Sequence, residues 1–351
     1  MKKTISLVMT SVILFLTICL SGCQKQDNNM LNVYNWGEYM DMSVIDEFTK
    51  ETGIRVNYKT YDSNEAMFSK ISTGAAGYDI VFPSDYMISK MIEEDMLAEL
   101  DFNNIPNYKY IGDDYKNLEF DPDNKYSVPY TWGTVVILYD KTKVDPKDVK
   151  DQSINLLWNQ KYKDQILMFD NPRDAFGLAL IKNGYSINSD NPAEWDKAAE
   201  SLIEQKPLIQ AYVMDQIFDK LGTGEAAVAP YYAGDAILIK EQNPNIEYYI
   251  PKEGTNMFVD SICVLKTSTR KEQAEKFIDF LCRTDVAVKT AEEIGYATPH
   301  SKAFLKLDKE TTSDSCIYPS SEILQNTEVF KNLDKSISIH QSDLWIKVKA
   351  S

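Results

Sequence analysis

Residues 31–58 read LNVYNWGEYMDMSVIDEFTKETGIRVNY, and this stretch decides the fold class. Leu31, Val33 and the apolar side of Tyr34 suit a strand, which residues 35–37 stop. Val44, Ile45 and Phe48 then recur at helical spacing, Asp41 or Ser43 can cap, and Gly53 ends the helix. Ile54, Val56 and Tyr58 alternate as a second strand. The product is a βαβ unit, whose two strands are expected to be parallel. Just past the first strand the chain places Trp36, Glu38 and Tyr39 within four residues. A carboxylate between two large aromatic rings suits an organic cation, because the rings present negative π-faces and the acid neutralises charge.

The alternation continues outward from this unit. Asn64 can cap a helix carrying Met67, Phe68 and Ile71, residues 79–82 form a short buried strand, and Pro83-Ser84-Asp85-Tyr86 opens another helix. Residues 101–127 are polar and irregular. Residues 126–140 form a long strand-like run interrupted at Gly133, and residues 257–265 form a second long strand. Between them, residues 166–169, 226–230 and 246–250 read as strands, and Asn171-Pro172 fits the N-cap and first position of a helix. Thr269 with Glu272 makes a capping-box pattern ahead of Ala274, Phe277, Ile278 and Leu281. Residues 307–351 read mainly as helix. Alternating strands and helices imply an α/β protein, and two long strands suggest a chain that visits each of two lobes twice. The expected division is residues 30–133 with 258–304 for one lobe and 134–257 with 305–351 for the other.

A chain of 351 residues is too long for one small core. Its 44% hydrophobic and 26% charged content places it with soluble globular proteins. Lys2-Lys3, an apolar run over residues 5–20 and Leu20-Ser21-Gly22-Cys23 make a signal peptide over residues 1–22. The run is shorter than the roughly 20 residues a membrane span needs. The ending resembles a bacterial lipobox, which implies cleavage before Cys23, a lipid on its thiol and a polar tether over residues 23–29. The expected location is the extracytoplasmic face of a membrane. Formal net charge is −16, and loss of Lys2 and Lys3 leaves 35 basic against 53 acidic residues, or −18. A field of that sign repels nucleic acid and attracts cations. Cys263, Cys282 and Cys316 contain no C-x-x-C, so buried free thiols are expected rather than disulfides or a zinc site.

Aromatic and acidic residues also follow later strands or helix ends, where ligands of open α/β sheets bind. They are Ser84 and Tyr86, Asp174, Tyr232 and Asp235, Phe258 and Asp260, and Tyr296. Asp260 within an apolar strand requires a partner. His300 and His340 have no neighbours suggesting a triad or metal site, and no phosphate-loop or dinucleotide fingerprint is present, so neither catalysis nor a cofactor is expected.

The motifs YNWGEY, FTKETGIRV, YDIVFPSDY, YSVPYTWG, PKEG, DSI and IGYATP, in that order, resemble the polyamine-binding proteins of bacterial ABC importers. The resemblance implies a two-lobed, type II periplasmic-binding-protein fold, in which each lobe is a mixed sheet flanked by helices. It implies a monomer that closes on putrescine or spermidine and meets an ABC permease with its ATPase. Carried over singly, Trp36, Glu38, Tyr39, Ser84, Tyr86, Asp260 and Tyr296 match the family's binding positions in type. Asp174 shortens a common glutamate, Gly37 replaces an often hydroxylated residue, and Tyr232 and Phe258 stand where spermidine-type members have tryptophan. Asn171 replaces an aspartate. Phe258 and the Ala-Gly-Asp ending at Asp235 look more like putrescine-type members, and the family glutamine falls near Phe330, whose contact is not carried over. Two other readings stay open: an amino-acid or other charged ligand, favoured by a helix N-terminus near Arg173, and a surface enzyme or adhesin.

Overall fold

The structure, a computed structural model, describes residues 29–74 and 77–351. The signal peptide, Cys23 and all but the last residue of the tether lie outside the described residues. Among the described residues, ten strands form one mixed sheet: β1 (Met30–Trp36), β2 (Arg55–Tyr61), β3 (Ile80–Val81), β4 (Ser127–Asp140), β5 (Ile166–Phe169), β6 (Ile209–Val213), β7 (Val228–Tyr232), β8 (Ile246–Tyr249), β9 (Thr255–Val264) and β10 (Thr327–Glu328). Their order is β2-β1-β3-β9-β4-β7-β5-β6, with β8 on β4 and β10 on β9. Among the described residues, no helix is long and apolar enough to cross a membrane.

The opening stretch folds as its pattern requires. Asp41 caps the helix Met42–Thr52 by accepting from the Ser43 N–H, and Gly53 closes it at φ 72°. Val44, Ile45 and Phe48 face inward, with the Phe48 ring edge-on to Phe277. β1 lies between β2 and β3. Apolar residues from this unit join Ile262, Val264, Ile278 and Leu281 in one core. A larger core surrounds Phe169, Phe176, Trp195 and Tyr231.

β4 and β9 hold the molecule together. They pair antiparallel from Ser127–Cys263 to Thr134–Met257. Past Thr134, β4 leaves β9 and pairs with β7 and β8, so this one strand joins the two halves of the sheet. Gly133 does not interrupt it. The irregularity is a register shift between Pro129 and Thr131, and Gly133 provides space for the Phe258 ring, which a Cβ would approach to 2.9 Å.

Three further expectations are corrected. Ser63, rather than Asn64, caps the helix Asn64–Ile71, because the Asn64 amide is turned inward to Ser84 and Tyr86. The capping box at Thr269 does not form: Arg270 holds the N-cap position of the helix Lys271–Leu281 without a side-chain cap, and Ser268 Oγ receives its N–H instead. Residues 307–351 contain two short helical pieces and β10 before their one long helix, Lys335–Ala350. Cys263, Cys282 and Cys316 are buried and free, as expected.

Candidate functional site

The ends of β1 and β7, the first half of β9 and the starts of several helices enclose a cleft with about 710 Å³ of unfilled space. Each of the eleven residues singled out from sequence lines it: Trp36, Glu38, Tyr39, Ser84, Tyr86, Asp174, Tyr232, Asp235, Phe258, Asp260 and Tyr296. Seven carboxylates and no lysine, arginine or histidine occur among the described lining residues.

Asp260, in the middle of β9, is 4% exposed. Its Oδ2 accepts from the Tyr39 hydroxyl at 2.5 Å. Because that proton is committed, the Thr131 hydroxyl, also 2.5 Å from the Tyr39 oxygen, is the donor of the second bond. Asp260 Oδ1 is buried with no hydrogen-bond partner. A buried acceptor in that condition costs about 1–3 kcal/mol unless a donor reaches it.

Two further acids follow the same plan. Asp174, in the first turn of the helix Pro172–Lys182, accepts from Tyr232 at 2.8 Å. Asp235, in the first turn of the helix Ala233–Gln242, accepts from Tyr296 at 2.7 Å. Burial raises all three carboxyls, and the tyrosine donors, joined at Asp260 by the Ser84 hydroxyl, only partly offset it. Asp260 is pushed up to about 6, Asp174 to about 7 and Asp235 to about 8. Each is therefore poised to ionise when a cation arrives. Burial likewise drives the tyrosine hydroxyls well above their ordinary value, so they remain donors.

Aromatic rings make the walls. Tyr39, Phe258 and Tyr296 pack together with Ile294, and Tyr296 meets Tyr39 edge-on at 5.0 Å. Trp36 donates its indole N–H to the Phe82 carbonyl and packs on Tyr61. Tyr296 lies flat on Gly234, where a Cβ would come within 2.2 Å of its ring. Glu38 stands exposed at the mouth with φ 43°, a left-handed conformation that few non-glycine residues take.

The structure adds residues that the sequence reading passed over. Asp215 lies across from Gly37, so near that a Cβ there would stand 2.6 Å from Asp215 Oδ2. It follows β6, a strand not recognised in the sequence, and the rule that ligands gather past strand ends would have found it once β6 was known. Asp85 is fully buried, its two oxygens accepting from the N–H groups of Tyr86 and Val259. Asn64 and Phe330 also line the cleft. Asn171 acts as the expected N-cap. Arg173 is not in the lining; its guanidinium donates to the Ile187 and Lys331 carbonyls and to Asn188 Oδ1.

A mixed sheet crossed by two long strands, with an acid- and aromatic-lined cleft at the strand ends, defines a solute-binding protein of the two-lobed periplasmic type. The chain belongs to the bacterial extracellular solute-binding protein family, which residues 43–316 match. It is 37% identical to the spermidine/putrescine-binding periplasmic protein of Escherichia coli K12, over 95% of this chain and 96% of that one. A Listeria monocytogenes protein ascribed to a spermidine/putrescine ABC transporter has a similar structure, with TM-score 0.86 and 42% identity over 92% of this chain and 99% of that chain. The spermidine/putrescine ABC transporter substrate-binding protein PotD of Streptococcus pneumoniae gives 0.78 and 38% over the same shares.

Proposed function

We propose that this protein is the extracytoplasmic binding component of a polyamine importer, capturing putrescine or spermidine in the cleft and delivering it to an ABC permease with its ATPase. The observation that carries the reading is the unpartnered Asp260 Oδ1, buried beside Asp174 and Asp235 in a cleft whose described lining has no basic side chain. An ammonium group supplies the missing donor and the missing charge together. The rings of Trp36, Tyr39, Tyr232, Phe258 and Tyr296 flank the methylene chain, which cannot hydrogen-bond. An aromatic–cation contact contributes about 0.5–2 kcal/mol. The names of the relatives above support the same ligand class.

The closing halves are residues 30–133 with 258–304 and residues 134–257 with 305–351, hinged where β4 and β9 cross. The chain is processed before Cys23, lipid-anchored through that residue, monomeric, and works by binding and release rather than turnover. An anionic ligand has less support, since Arg173 is not in the cleft lining and its two terminal nitrogens donate to loop acceptors.

Calorimetry and thermal shifts with putrescine, spermidine, spermine and a panel of amino acids test the reading. Micromolar or tighter polyamine binding, about −8 kcal/mol or better, is expected. No heat and no stabilisation with any polyamine refutes it.

A further inference from the structure

The acid-lined cleft and a second pocket, with about 1170 Å³ of unfilled space open to solvent, lie on opposite faces of β9. Asn256, Phe258 and Asp260 line the first, whereas Met257 and Val259 line the second, as the two-residue alternation of a strand requires. The passage around the strand edge is narrow. On that edge β10 pairs with Thr255 and Asn256, and Ser84 bridges Asp260. Between these two attachments Asp85 takes the Val259 N–H. Among the described residues, only Tyr86 and Phe330 wall both cavities.

Phe330 is held firmly in this position. Its ring stands edge-on to Tyr86, with centroids 6.0 Å apart, and the Arg173 guanidinium lies 4.2 Å from its centroid. It also presses on Gly177, where a Cβ would come within 3.0 Å of the ring. Arg173 is itself anchored by the carbonyls of Ile187 and Lys331, so the ring is clamped between fixed groups. On the far side, Met257, Val259 and Leu118 stand beside Glu93, which accepts from the Asn332 amide, and Glu119, which is paired with Lys331. Apolar surface with nearby carboxylates is what an aminoalkyl extension would meet favourably.

We propose that Phe330 is the end wall that sets ligand length, closing the cleft against the second cavity so that a diamine fits and a longer polyamine is disfavoured. The inference rests on the polyamine reading. Removing the ring joins the two cavities around the edge of β9, and the additional aminopropyl arm of a triamine then extends past Tyr86 toward Glu93.

The test is calorimetry of the purified protein and its Phe330→Ala variant with putrescine and with spermidine. The wild type is expected to prefer putrescine, and Phe330→Ala to shift the ratio of the two dissociation constants toward spermidine by about tenfold or more. Adding Met257→Trp to Phe330→Ala refills the far cavity and should reverse that shift. An unchanged ratio in a Phe330→Ala protein with a cooperative melt overturns the proposal. Should that variant not fold, Phe330→Leu keeps an apolar contact with Gly177 without the ring, and an unchanged ratio there overturns it equally. A wild type that binds neither amine overturns the polyamine reading, a result distinct from an unchanged ratio.

Discussion

Replacing Asp260 by asparagine should move affinity and stability in opposite directions. The side chain keeps its shape and an oxygen that can still accept from Tyr39, but it loses its charge. A carboxylate–ammonium pair at 4 Å has a Coulomb energy of about 4 kcal/mol at an effective dielectric of 20. Part of that is offset by desolvating the ammonium, and losing a charge-assisted hydrogen bond in a buried site costs about 3 kcal/mol. The dissociation constant should therefore rise roughly 150-fold. In the empty protein the sign is reversed. Burial pushes the Asp260 carboxyl up from 3.8 to about 6, so the folded state holds its proton more tightly than the unfolded state. The favourable contribution is complete below the unfolded value and is lost as pH rises through about 6; at pH 8 the ionised acid costs up to about 3 kcal/mol. Asparagine removes that cost, so the empty variant should be the more stable protein at pH 8, with the difference gone near pH 4. Calorimetry with putrescine and spermidine, and urea melts of the ligand-free protein at both pH values, read the two effects. Unchanged affinity would refute the assignment of Asp260 as an ammonium anchor. Equal loss of affinity and of empty-state stability at every pH would make Asp260 a structural residue.

The same carboxyls predict that affinity rises between about pH 5.5 and 8.5, as groups near 6, 7 and 8 ionise, and that binding at pH 7 releases protons. Binding heats that do not differ between buffers of different ionisation enthalpy would contradict this. Gly234→Ala places a Cβ 2.2 Å from the Tyr296 ring and displaces its hydroxyl from Asp235. A destabilisation of about 1–3 kcal/mol and weaker binding should follow. Gly37→Ala meets only the end of the Asp215 side chain, which can swing aside, so its effect in the same melts should be smaller. Cys23→Ser should release the protein from the membrane fraction and abolish incorporation of labelled lipid; retention in membranes would remove Cys23 as the anchor.

By itself the sequence determined what local physics controls. The Asp41 cap, the Gly53 turn and the Asn171 cap are properties of a few neighbouring residues, and each appears in the structure as expected, while the first strand runs on through Trp36 and stops at Gly37. The residue types of the cleft were legible for the same reason, because an acid or an aromatic just past a strand is visible locally. β6 was not, since residues 209–213 carry only a weak alternation, and Asp215 was lost with it. Phe330 sits in a segment without regular structure, where no periodicity marks which side chains turn inward.

Tertiary structure alone decided how these groups meet. Tyr39 and Asp260 are 221 positions apart, yet a single hydrogen bond joins them, because the sheet order sets β9 between β3 and β4, strands from much earlier in the chain. The raised carboxyls and the orphaned Asp260 oxygen are likewise collective, arising from burial by residues drawn from the whole chain. So is the closed end of the cleft: Phe330 becomes a wall only because β9 has a cavity on each face and a gap along its edge.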